Sequence, residues 1–90
     1  MNTKNLLVLA RRDHAEGMRV AAGLTIAGHD VKLVFMDRVV EDSEENAEQV
    51  ETLELCDIEP VTTVANDDIP EIDDAKLSMW MLEADSVISL

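Results

Sequence analysis

Apolar and polar positions switch between two periods along this chain of 90 residues, and the switches mark its elements. Asn5 to Ala10 (NLLVLA) and His29 to Phe35 (HDVKLVF) are short apolar runs bounded by polar residues, the pattern of parallel strands covered on both faces. Between them Ala15, Met18, Ala22 and Thr25, flanked by Ala21 and Ile26, recur at helical spacing. Asp13 is placed to cap this helix with Glu16 as its capping-box partner, and Gly28 stands where a left-handed C-terminal residue is wanted. The segment is a βαβ unit, and its crossover should be right-handed.

The alternation continues downstream. Asp42 or Ser43 can cap a helix running through Leu55, with Ala47, Val50 and Leu53 facing inward and Glu44, Glu45, Glu48, Glu51 and Glu54 facing water. The first three acids also suit the positive end of the helix dipole. Asp57 to Pro60 ends that helix, and Val61 to Val64 (VTTV) reads as a third, β-branched strand. A polar loop, Ala65 to Ile72, leads to Asp73 or Asp74, which caps a short helix to about Ala84, and Ser86 to Leu90 is a fourth strand. The order βαβαβαβ predicts one α/β domain: three layers, α/β/α, around a four-stranded, largely parallel sheet.

The last helix carries two apolar stripes. At about 100° per residue, Leu77, Trp80, Met81 and Ala84 form one, while Ala75, Met79 and Leu82 form a second on nearly the opposite side. A helix apolar on two faces is covered on both, here by the chain's own loops or by another subunit. Trp and Met suit a subunit interface, which makes Met79, Trp80 and Leu82 the interface candidates, with Met81 and Met18 as further contributors.

Size and charge narrow the classes. A chain this short removes only roughly 60 to 65% of its unfolded surface from water, so association is an accessible way to bury more. Residues 1 to 36 carry a net charge of +2 and residues 37 to 90 a net of −15, for −13 in all. That field repels a polyanion, and nucleic acid is not an expected partner. No basic, apolar leader stands at Met1 to Asn5 and no apolar run approaches 18 residues. With the single Cys56, this predicts a cytoplasmic protein that neither crosses a membrane nor holds an intrachain disulfide.

Chemistry-bearing constellations are sparse. Gly17, Gly23 and Gly28 form no dinucleotide or phosphate-loop motif, and no cofactor is expected. His14 and His29 each neighbour an aspartate, but about 1.5 Å per residue places them roughly 22 Å apart at opposite ends of one helix, so no metal site follows. The acid clusters lack the ligand spacing of a calcium loop and read as a solvated face or as adaptation to salt. Cys56 is a weak nucleophile candidate, since acids and a helix C-terminus surround it and no base stands near. In open parallel sheets the ligand crevice lies outside the carboxyl ends of the strands. That rule selects Arg11, Arg12, Asp13 and His14 after the first strand, Asp37 and Arg38 after the second, and Ala65, Asn66 and Asp67 after the third. Arg11 and Arg12 beside a helix N-terminus form a candidate small-anion site, or two arginines paired with local acids.

Through GHDVKLVF (Gly28 to Phe35), the turn Asp37 to Val40, the helix ending in Glu54, Leu55 and Cys56, and the segment Leu82 to Leu90 (LEADSVISL), the chain resembles the DsrE/DsrF-like family of small sulfur-relay proteins, which includes the TusD and DsrH types. The resemblance spans nearly the whole length and its motifs are mostly structural. It implies an α/β/α fold, homo- or hetero-oligomers, and a persulfide carried on a cysteine just after the strand that here is Val61 to Val64. This chain has Ala65, Asn66 and Asp67 there, and Cys56 precedes the strand. The expectation is therefore a non-catalytic binding or assembly subunit in cytoplasmic sulfur or redox metabolism. The alternatives are a sulfurtransferase acting through Cys56 or a partner's cysteine, and a small-anion binder using Arg11 and Arg12.

Overall fold

A computed structural model describes residues 3–37, 40, 43–64 and 69–90. Its elements are β1 (Asn5–Ala10), α1 (His14–Ile26), β2 (Asp30–Phe35), α2 (Glu44–Leu55), β3 (Val61–Thr62), α3 (Asp74–Glu83) and β4 (Ser86–Ser89). The four strands make one sheet in the order β3-β2-β1-β4, and every pairing is parallel. The chain builds outward from β1 through β2 to β3, then returns across the sheet to place β4 on the other side of β1. The direction of winding therefore reverses between β1 and β4.

Strand alternation sorts the core into two faces. Val8, Ala10, Leu33 and Phe35 point to one, where Met18, Ala21 and Ala22 of α1 and Leu53 of α2 cover them. Leu7, Leu9 and Val34 point to the other, where Leu77 of α3 and Ile72 of the preceding loop cover them. With helices on both faces of one parallel sheet, the protein is a small three-layer α/β fold. No helix among the described residues is long and apolar enough to cross a membrane.

The helix ends follow from local chemistry. Asp13, Ser43 and Asp73 each cap a helix by accepting a hydrogen bond from the backbone three residues on. The Glu16 carboxylate pairs with Arg19, so Asp13 and Glu16 form half of a capping box. Helices α1 and α2 close with the same pair of bonds. Gly28 N–H reaches Thr25 O and His29 N–H reaches Leu24 O; Asp57 N–H reaches Glu54 O and Ile58 N–H reaches Leu53 O. The left-handed position is Gly28 (φ 96°) in the first and Asp57 (φ 57°) in the second.

Several expectations need correction. The inward face of α1 is His14, Gly17, Met18, Ala21 and Ala22, rotated from the apolar stripe, because Gly17 lets the helix lie against Ala10: a Cβ there would stand 2.5 Å from the Ala10 Cβ. Ile26 lies outside that face and is 77% exposed, and Met18 is core rather than interface. On α2, Leu53 faces inward as its spacing predicts, but Ala47 and Val50 are exposed and Asn46 is buried instead. The inward face of α2 therefore runs through Asn46, the half-buried Gln49 and Leu53, rotated from the Ala47 and Val50 side. Met81, expected on the inner stripe of α3, is exposed as well. β3 stops at Thr62 because the chain turns there. Thr62 exchanges backbone bonds with Pro70 and Ile72, and its hydroxyl donates to Phe35 O and accepts from Val64 N–H.

Candidate functional site

The reversal of winding between β1 and β4 opens the crevice in which such sheets bind ligands. Arg11, Arg12 and Asp13 leave β1 there, His14 begins α1, and Met36 and Asp37 leave β2. Arg38 and Asn66 lie outside the described residues. The amides of Arg11 and Arg12 both donate to Leu90 O, at 2.8 and 2.9 Å, tying the end of β4 across the crevice. The Arg11 Nε stands 3.5 Å from Asp37 Oδ2, with both side chains about half exposed, and Asp37 takes a left-handed conformation (φ 71°) at this turn.

His14 is the chemically distinctive group here. Its side chain is buried, with only 3% of the residue exposed, and its ring lies 5.1 Å from that of Phe35, tilted by 57°. Nε2 is 3.2 Å from Met36 O. A carbonyl can only accept, so Nε2 is the donor and any lone pair on the ring is on Nδ1. That Nδ1 is buried and has no hydrogen-bond partner, a state that costs about 1 to 3 kcal/mol. Helical spacing from Met18 and Ala21 carries the signal for this burial, since His14 precedes them by four and seven positions on the same face.

These bonds change what the crevice can hold. A helix N-terminus attracts an anion through unused amides and a positive dipole end. Here the Arg11 and Arg12 amides are committed to Leu90, and the Asp13 carboxylate already occupies the cap. The Arg11 side chain is itself paired with Asp37, and the acceptor nitrogen of His14 is buried rather than open to the crevice.

Cys56 lies elsewhere. Helices in a parallel sheet run opposite to the strands, so the C-terminal end of α2, which Cys56 caps, sits at the amino ends of the strands. Six residues of strand span roughly 20 Å, which separates the thiol from Arg11, His14 and Asp37. The thiol is half-buried and packs beside the α1 and α2 core. His29 is also at the amino end, where its Nδ1 accepts from Lys4 N–H at 3.2 Å. The two histidines therefore serve opposite ends of the sheet. No cluster of metal-ligating side chains occurs among the described residues.

The interface candidates divide. Met79 and Leu82 stand on the outer face of α3, 55% and 88% exposed. Trp80 turns inward against the second core cluster, with Lys32 and Lys76 each 5.5 Å from its ring centre. The sequence pattern does not show this cation clasp, because Lys32 and Trp80 are 48 residues apart. The chain matches no family model, no curated protein and no solved structure.

Proposed function

We propose that this protein is a non-catalytic binding or assembly subunit of the DsrE-like type, acting in cytoplasmic sulfur or redox metabolism. The observation that carries the docking role is the outer face of α3, where Met79 and Leu82 are held in water on a helix whose opposite face is already buried. Exposed apolar groups so arranged are the material of interfaces. The sequence supports the non-catalytic role: Ala65, Asn66 and Asp67 follow the third strand and none is a thiol. Cys56 supports it too, since it sits far from the crevice between acids.

The test is co-purification of the full chain from native lysate, with mass spectrometry of the bound proteins and a Met79→Glu/Leu82→Glu variant as the parallel bait. Recovery of sulfur-transfer proteins with the wild type and their loss with the variant is the expected result. A stable gain of one sulfur atom on Cys56 after incubation with a persulfide donor would overturn the non-catalytic reading in favour of a sulfurtransferase. Measurable binding of sulfite or thiosulfate, lost in an Arg11→Ala/Arg12→Ala variant, would favour the small-anion reading instead.

A further inference from the structure

We infer that the outer face of α3 pairs with α3 of a second copy of this chain, antiparallel across a two-fold axis. The inference rests on the docking reading above and names its occupant. Ala75, Ser78, Met79 and Leu82 are spaced i, i+3, i+4 and i+7, so they share one face, and all four are exposed. Four residues at that spacing form the hole into which a facing helix inserts a knob. Ala75 and Ser78 are small, which leaves the hole deep, and Leu82, exposed at the other end of the face, is the knob. Knob and hole lie on the same surface. An antiparallel two-fold pairing brings each Leu82 over the Ala75 and Ser78 end of the other helix, which is the self-complementarity that an isologous interface requires.

Charge matches the same geometry. Lys76 and Glu83 are seven residues apart on one edge of this face, so an antiparallel pairing sets each Lys76 across from the other copy's Glu83. Lys76 is the only base after Arg38 in the sequence; its ammonium lies 5.5 Å from the Trp80 ring centre and, among the described residues, makes no ion pair within its own chain. A parallel two-fold pairing would put the two copies of each edge residue on opposite edges and would not bring Lys76 to Glu83. The helix is about 15 Å long, and its face falls well short of the roughly 800 Å² per partner of a standard interface. The dimer is therefore weak, and two chains of −13 repel each other at low salt.

Sedimentation equilibrium of the full chain tests this, up to about 1 mM protein at about 0.05 and 0.5 M sodium chloride. The expected result is a monomer–dimer equilibrium with a high-micromolar dissociation constant that tightens with salt. Lys76→Glu and Glu83→Lys should each weaken it about tenfold, and the double variant should return it to within about threefold of wild type, because the swap restores both pairs. Leu82→Ala should weaken it as well, and unchanged circular dichroism keeps each variant interpretable. A wild type that stays monomeric at both salts overturns the inference, as does a dimer that ignores Leu82→Ala or a swap that fails to rescue. A chain that stays monomeric yet captures sulfur-transfer proteins through Met79 and Leu82 overturns the dimer and keeps the docking role, whereas a dimer that captures none keeps the inference and overturns that role, so the two failures are told apart.

Discussion

On one face of the sheet two helices press Met18, Ala21, Ala22 and Leu53 onto Val8, Ala10, Leu33 and Phe35, and no residue in that set is more than 3% exposed. On the other face one ten-residue helix and a loop bury Leu77 and Ile72 over Leu7, Leu9 and Val34, with Trp80 and Ala84 of the helix only partly buried beside them. The strands are alike on both sides, so the difference lies in what covers them. The first face draws its closeness from Gly17, which brings the α1 backbone onto Ala10. The second lacks a second helix, and its one helix is apolar on the outside too. A small chain that cannot cover both faces equally leaves its unspent apolar surface on the thinner one, which is where the proposed contact lies.

The largest effect should come from breaking the close approach on the first face. Gly17→Ala puts a Cβ 2.5 Å from that of Ala10, and two backbone-borne groups cannot rotate apart. The helix must shift, at a cost of about 2 to 3 kcal/mol in urea unfolding. A loss under half a kilocalorie would mean that α1 is not seated as tightly as described. Gly23, which has open space beside it, is the matched control: Gly23→Ala should stabilise by about 0.5 to 1 kcal/mol.

A pair of truncations compares the faces directly. Leu53 and Leu77 are the same residue type in helices on opposite faces of the sheet, but Leu53 is sealed while Leu77 keeps contact with water at the edge of a thinner layer. Leu53→Ala should cost about 3 kcal/mol and Leu77→Ala about 1 kcal/mol less, since the second site can relax or admit water. Equal losses would mean that α3 is covered more fully than its own chain provides. Repeating the measurement well above and below the dimer's dissociation constant would then locate the cover.

Much of this architecture was legible in the sequence, and the exceptions have a common cause. Strand runs, caps at Asp13, Ser43 and Asp73, and the terminators Gly28 and Asp57 are local features, and they fall where residue chemistry puts them. Which side of a helix is buried depends on what lies opposite. Ala47 and Val50 have the spacing of a buried stripe, yet α2 turns Asn46, Gln49 and Leu53 inward instead. Gly17 reads as a helix weakness until Ala10 is placed beneath it. In the crevice, the ordering of Arg11, His14 and Asp37 at one end of the sheet followed from topology. The bonds that take up the Arg11 and Arg12 amides did not, because they come from Leu90, nearly 80 residues away.

A smaller effect separates the two helix ends that share one closing motif. Gly28 occupies the left-handed position of α1 without strain, whereas Asp57 holds it in α2 at φ 57° with a side chain that disfavours it. Asp57→Gly should stabilise the protein by about 0.5 kcal/mol, the relief of strain exceeding the added freedom of the unfolded chain, and it also removes one acid. Gly28→Ala should destabilise by about 1 kcal/mol, since no neighbour within 4 Å would offset the strained backbone. Opposite signs at equivalent positions are the outcome that supports the assignment.

The smallest expected effect is the salt response. Seventeen acids against two bases lie beyond Met36, and the acids of α2 line the outside of the better-packed face. The ion pairs Arg11–Asp37 and Arg19–Glu16 are solvent-exposed and weigh little against that repulsion. The Debye length falls from about 30 Å at 0.01 M to about 3 Å at 1 M salt, so sodium chloride should raise the melting temperature by a few degrees across that range. The rise has two sources that protein concentration separates. Screening of repulsion within one chain is the same at every concentration, whereas tighter pairing through α3 adds stability only where dimer is populated. In Leu82→Glu the concentration-dependent part should vanish and the rest should remain. A wild-type melting temperature that is flat from 0.01 to about 1 M salt would mean that the acids are already neutralised by tightly held cations or a retained basic partner.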